Sequence, residues 1–334
     1  MISDPLEFKF EMKDLLPTIL PYKGAYVNKK GGSKMSDFKK EYKACTLCAR
    51  SCGVNRTEKV GACGMSDEVY IARASLHAWE EPIISGDNGS GTVFFSGCSL
   101  SCVFCQNKEI SRGRVGVPVS DEKLAEIMLK LQSDGAHNIN FVTPTHFVPS
   151  VISAVSLARE RGLTLPIVYN TSSYETAKTV GMLDTTVDIY LADYKYNLPK
   201  TAKAYSSAEN YPEVARTAIA EMVKQKGTPV IKDGLMQSGV IVRILLLPGH
   251  LAEAKLSVKY LYETYGDSIY ISLMSQYTPM PNMEPPLDRR VSRREYDELV
   301  DYALAKGVKN AFIQDGTSAM ESFIPPFDLT GCND

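Results

Sequence analysis

The sequence predicts an α/β protein: a partial (β/α)6-like barrel of parallel strands over residues 92–334, with a C-terminal tail, behind a cysteine-rich N-terminal extension of residues 1–91. Three observations predict it. From Thr92 onward, short and almost wholly apolar runs alternate with amphipathic stretches of helical period. Six or seven such units follow one another, and right-handed crossovers curve a series of that kind into a partial or full barrel. Seven of the eight cysteines fall into two short clusters, Cys45–Cys63 ahead of the strand–helix series and Cys98–Cys105 just inside it.

In the first 43 residues, Gly24, Gly31 and Gly32 with Lys29, Lys30 and Lys34 have the composition of a solvated connector. The cysteine-rich segment 45–64 follows, then Val69–Ala74, which reads as a strand, and the polar group His77, Glu80 and Glu81. His77 beside two carboxylates reads either as a general acid–base or as a hydrogen-bonded structural histidine. The turn-rich stretch Ser85–Gly91 is no phosphate loop, because no Gly-Lys-Ser/Thr follows and it leads into a strand.

Thr92–Ser96 is β-branched and aromatic, a buried strand. Ser120-Asp121-Glu122 caps a helix carrying Leu124, Ile127, Met128 and Leu131 and ending near Gly135. Strands are expected at Asn138–Thr143, Leu165–Asn170, Val187–Tyr194, Val240–Leu247, Ser268–Met274 and Asn310–Gln314. Helices are expected at Val148–Arg161, Val214–Lys226 and Leu251–Tyr265, and after the capping box of Ser292 and Glu295 as far as Lys306. Arg289, Arg290, Arg293 and Arg294 gather at that helix start, as a solvated face or a contact for an acidic partner.

Composition narrows the function. Thirty-seven basic against 39 acidic residues give a net charge of −2, which argues against a general nucleic-acid binder. No apolar run reaches the ~18 residues of a membrane span, and no signal peptide is evident at Met1. Cysteines clustered at short spacings suit metal ligation in a reducing compartment better than a secreted disulfide framework, so a cytoplasmic location is expected.

The chemistry centres on Gly97-Cys98-Ser99-Leu100-Ser101-Cys102-Val103-Phe104-Cys105-Gln106-Asn107. Three thiolates at C-x3-C-x2-C ligate three irons of a [4Fe–4S] cubane and leave the fourth open to a ligand. The competing reading, a three-cysteine zinc or structural site, lacks the fourth ligand that structural zinc requires. Cys45, Cys48, Cys52 and Cys63, at C-x2-C-x3-C-x10-C, form a set of four that suits a second metal centre, zinc or an auxiliary iron–sulfur cluster; buried unligated thiols are the alternative.

The first motif resembles that of the radical S-adenosylmethionine (SAM) superfamily, and residues 92–280 are similar to the pyruvate formate-lyase activating enzyme family. The likeness to that family's uncharacterised relatives with an extra N-terminal cysteine motif extends back through Cys45–Cys63. The resemblance implies a [4Fe–4S] cluster on Cys98, Cys102 and Cys105 and SAM chelated to its open iron. Reductive cleavage of SAM to a 5′-deoxyadenosyl radical would abstract hydrogen from a substrate, a glycine of a partner enzyme in the activating enzymes. It also implies an electron donor such as flavodoxin or ferredoxin.

Carried over by position, Phe104 lies beside adenine and Asn107 in the SAM pocket. Thr143 and Thr145 stand where the activating enzymes have Gly-Gly-Glu for the SAM ammonium. Asn170-Thr171 stands for Asp-Thr, so one carboxylate of a monovalent-cation site is missing. Asp193 and Lys195 match an Asp-Leu-Lys, Arg243 is the partner of the SAM carboxylate, and Tyr277 takes the place of an adenine-stacking histidine. An electron-transfer or metal-delivery protein is the alternative, and it would need none of these pocket residues.

Overall fold

The parallel core follows from strands that carry no solvent-facing residue. The computed structural model describes residues 35–112, 115–314 and 324–332; the connector expected around Gly24–Lys34 lies outside them. Ten strands are present among the described residues: β1 (Val69–His77), β2 (Ser90–Phe95), β3 (Val117–Val119), β4 (Ile139–Val142), β5 (Ile167–Thr171), β6 (Ile189–Asp193), β7 (Val230–Lys232), β8 (Leu235–Leu245), β9 (Tyr270–Met274) and β10 (Ala311–Ile313). They form one sheet in the order β10-β9-β8-β6-β5-β4-β2-β1-β3, with β7 attached to β8. Every pairing from β2 through β10 along this path is parallel, whereas β1 is antiparallel to both β2 and β3. The result is the expected partial barrel. β2, β4 and β5 are buried along their whole length, as near-continuous apolar sequence requires when both faces are covered.

Helices Asp121–Ser133, Val148–Glu160, Tyr211–Lys226, Leu251–Tyr265 and Arg293–Ala305 cover the sheet at or near the expected positions. Ser120 accepts from the Lys123 N–H at 3.1 Å, and the Ser292–Glu295 capping box is formed. Arg289 forks onto the same Glu295 carboxylate at 2.8 and 2.9 Å, so this arginine is committed within the fold.

Differences from the sequence reading have local causes. The helix expected from Val214 starts at Tyr211, because Pro212 is tolerated in a first turn whose N–H groups have no intrahelical partner. β8 begins five residues before Val240, since its first part turns back on β7 through Asp233-Gly234, both at positive φ. β3, which carries Pro118, occurs at the sheet edge, where a missing donor is harmless.

The segment before the barrel is built into it. β1 runs beside β2 from Ile71 to His77, and a boundary at residue 91 falls within β2. The C-terminal tail lies on β1 through Leu329 N–H to Ala72 O (3.1 Å) and Ala74 N–H to Thr330 O (2.8 Å). Among the described residues, no helix is long and apolar enough to cross a membrane.

Candidate active site

β2 ends at Phe95 and the chain turns sharply into Cys98. Gly97 makes that turn at φ +85°, and a Cβ there would lie 2.3 Å from Met65 Cγ, so both conformation and space require glycine. Cys98, Cys102 and Cys105 then line one cavity of about 230 Å³ at the C-terminal ends of the parallel strands. All three are free thiols. Each sulfur has a polar neighbour: the Leu100 N–H donates to Cys98 Sγ at 3.4 Å, Ser206 Oγ donates to Cys102 Sγ at 3.0 Å, and Cys105 Sγ faces Ser111 Oγ at 3.6 Å. Burial, then the proximity of the other two thiols, pushes the Cys98 thiol well up. A bound metal reverses this, since coordination deprotonates a thiol outright. The donor set therefore fits an iron–sulfur cluster: three soft sulfur ligands, hydrogen bonds to sulfur, and open space on one side.

Opposite the thiols lies a charged network supplied by four strand ends and the β1–β2 connection. Asp193 and Arg243 are cross-strand partners on β6 and β8. Arg243 Nε donates to Asp193 Oδ1 at 2.7 Å, and Lys195 Nζ to Asp193 Oδ2 at 2.6 Å. The other guanidinium nitrogens reach Asn170 Oδ1 at 2.6 Å and Glu80 Oε2 at 3.3 Å. Glu80 Oε1 accepts from Asn140 (2.9 Å) and Asn170 (3.2 Å). Burial alone would raise Asp193, but Arg243 and Lys195 outweigh it and hold the carboxyl below its usual range. Burial raises Glu80, with Arg243 opposing.

Of the residues predicted from sequence, Cys98, Cys102, Cys105, Asn107, Thr143, Asn170, Thr171, Asp193, Lys195 and Arg243 share this cavity. Phe104, Thr145 and Tyr277 are not among its lining residues. Phe104 packs edge-on against Tyr277 at 5.9 Å, and the Tyr277 hydroxyl is taken by Leu287 O at 2.6 Å, so this pair forms core behind the wall. The hydroxyls of Thr145 and Thr171 both donate to Glu175, which is itself buried. His77 lines the cavity; burial, then Arg73, lowers it to about 4, so it is neutral near pH 7.

Two charged residues escaped the sequence reading as site residues. Glu80, from outside the strand-end pattern, brings a carboxylate onto Asn170 and Arg243. Arg56 lies fully buried in the second cysteine cluster, near Cys45, Cys52 and Cys63; these three and Cys48 are all free thiols. Burial pushes the Cys48 thiol up to about 12, and the other three thiols lie close enough to add to the shift. Among the described residues no three His, Cys, Asp or Glu side chains converge closely enough to hold a single metal ion; in a cubane each thiolate sits on a different iron. The two clusters touch, the Cys98 N–H donating to Cys63 O at 3.4 Å.

Comparison with known proteins gives three kinds of likeness. A family model described as a 4Fe-4S single cluster domain matches residues 84–211. An uncharacterized protein of Methanocaldococcus jannaschii is 28% identical over 281 residues, covering 81% of this chain and 77% of its own. Among solved structures, native anSMEcpe with bound AdoMet and Kp18Cys peptide aligns at TM-score 0.47 and 11% identity over 65% of this chain. The FeFe-hydrogenase maturase HydG from Carboxydothermus hydrogenoformans aligns at 0.47 and 13% identity over 68% of this chain. The chain spans 60% and 53% of the lengths of those two structures. The cluster-domain match begins ahead of β2 and runs past β6, so it takes in the three cavity thiols together with Asn170, Asp193 and Lys195. That motif stands at the end of the first parallel strand, within the segment that the 4Fe-4S single cluster domain model matches.

Proposed function

We propose that the protein is an enzyme that binds SAM against a [4Fe–4S] cluster on Cys98, Cys102 and Cys105 and takes a hydrogen atom from a substrate. The observation that carries this reading is one cavity shared by three free thiols and a balanced set of charges, Glu80 and Asp193 against Lys195 and Arg243. Cluster and SAM supply, when bound, one-electron cleavage of the sulfonium to methionine and a hydrogen-abstracting 5′-deoxyadenosyl radical.

The chain's own residues bind and orient. An arginine has five N–H donors, and Arg243 spends one each on Asp193, Glu80 and Asn170, leaving two for a carboxylate. Lys195 spends one of three on Asp193 and offers the others to the same anion. Glu80 and Asp193 favour an ammonium beside it. Phe94, Phe95 and Val142 in the cavity wall are apolar and keep water from a reactive intermediate.

In this reading Cys45, Cys48, Cys52 and Cys63 hold a second metal centre, and a flavodoxin or ferredoxin supplies the electron. For the hydrogen donor we take a polypeptide glycine first, on the resemblance to the activating enzymes; a peptide or small molecule is the alternative. The test is anaerobic reconstitution, reduction with dithionite and assay of 5′-deoxyadenosine from SAM. Reduced protein that binds iron but forms none would refute the function. Incubation with candidate glycyl radical enzymes then separates the donors: a paramagnetic resonance doublet supports glycine, and SAM cleavage without it moves the target elsewhere.

A further inference from the structure

Among the described residues, no carboxylate balances the buried cation Arg56. It is fully buried, and no Asp or Glu among the described residues forms an ion pair with it. Its guanidinium donates to the carbonyls of Met65 (3.2 Å), Ser66 and His146, and the rings of Tyr42 and Phe147 lie 4.9 and 5.6 Å away. Carbonyl dipoles and ring faces solvate a cation but leave its charge uncancelled, and an uncompensated buried charge is costly.

The groups able to cancel it are the surrounding cysteines. Arg56 Nη1 points at Cys45 Sγ at 3.9 Å. A Cβ on Gly61 would meet Arg56 Cδ at 3.4 Å, Cys63 Sγ at 3.5 Å and Cys52 Sγ at 3.6 Å, so the arginine stem and two sulfurs crowd one glycine. Four thiolates on an oxidised [4Fe–4S] core leave a net charge of about −2, which more than offsets the single positive charge of the buried guanidinium.

The cluster is also fastened to the active-site loop. Besides Cys63 O and the Cys98 N–H, Arg50 donates to Ser99 O at 2.9 Å and Ser206 O at 3.0 Å, and Ser206 Oγ in turn donates to Cys102 Sγ.

We infer that Arg56 is the buried counter-cation of an anionic tetrathiolate metal centre on Cys45, Cys48, Cys52 and Cys63, a positioning residue that holds this centre against the Cys98 loop. The inference rests on the reading above that these four cysteines bind metal. A cubane, in which each thiolate sits on a different iron, is the core that the described side chains fit.

The test uses the full chain, prepared anaerobically, as wild type, C45A/C48A, R56M and the combined triple variant. Iron and zinc contents, retention of metal against EDTA and thermal unfolding are measured for each. C45A/C48A is expected to lose a cluster's worth of iron; loss of zinc instead would overturn the cubane core. R56M should hold that metal about 10- to 100-fold more weakly. The combined variant should melt above C45A/C48A, because it no longer buries an unbalanced cation. Metal contents equal in wild type and C45A/C48A would overturn the underlying reading. Loss of metal in C45A/C48A with wild-type retention in R56M and additive melting shifts would overturn the inference alone. If R56M by itself does not fold, a cooperative transition regained in the combined variant supports the inference, and its continued absence overturns it.

Discussion

The two cysteine clusters lie a hydrogen bond apart, from Cys98 N–H to Cys63 O, yet their surroundings differ. Cys98, Cys102 and Cys105 face a cavity with charges of both signs and three thiols, one short of closing a cubane. Cys45, Cys48, Cys52 and Cys63 are complete at four and lie on a loop wrapped around Arg56, with backbone pairs such as Cys45 N–H to Val54 O and Gly53 N–H to Cys45 O. In the proposed reading, one site admits a ligand and the other is closed. Ligand count alone does not make the distinction; the charges each site is given do. The open site has cations with unspent donors, whereas the closed one has a cation with its donors already directed at carbonyls and sulfur.

The largest effect that separates the two sites is expected at Asp193. Asp193→Ala leaves Arg243 and Lys195 buried without their shared carboxylate, a loss of about 3–5 kcal/mol. Thermal stability should fall accordingly and SAM affinity should drop at least ~10-fold, with iron and zinc contents unchanged. SAM affinity equal to wild type would remove Asp193 from the binding site.

Acid should affect both regions from about pH 6.5 downward. Burial, then Arg73, lowers His77 on the open cavity to about 4; burial, then Arg56, lowers His146 near the closed cluster to about 3. Both are neutral in the fold while the unfolded chain protonates below about pH 6.5, so their stabilisation is complete above that pH. It is lost as pH falls, by up to ~1.4 kcal/mol per unit for each histidine, ending near pH 4 for His77 and pH 3 for His146. Denaturant titrations of His77→Gln and His146→Gln across pH 3–7 check this: each should flatten the slope below about pH 6.5, the first down to about pH 4 and the second down to about pH 3, and a slope unaltered in both would contradict it.

The smallest effect is at Ser206, which links both regions. Ser206→Ala removes a hydrogen bond to Cys102 Sγ worth about 1 kcal/mol. It should leave iron content intact and make the cluster's reduction potential more negative, since hydrogen bonds to sulfur favour the reduced state. A potentiometric titration with no shift would show that Ser206 serves packing alone.

What was legible in the sequence was what lies contiguous in it. The thiols of each cluster fall within one short stretch, and the strand–helix alternation that sets Cys98 at a strand end is a local pattern. Glu80 and Arg56 were not legible as site residues, because Glu80 meets Arg243 across 163 positions and Arg56 meets His146 across 90. No short-range spacing marks either; an arginine among four cysteines was the one available signal. Phe104 and Tyr277, placed by analogy, pack against each other and do not line the cavity.

The most direct measurement is 5′-deoxyadenosine formed from SAM by dithionite-reduced, iron-reconstituted protein, comparing wild type with Cys98/Cys102/Cys105 triple alanine. The wild type is expected to form it and the variant to fall below detection while keeping the metal of the Cys45–Cys63 cluster. Formation at the wild-type rate by the triple variant would contradict the assignment of the open site to these three cysteines.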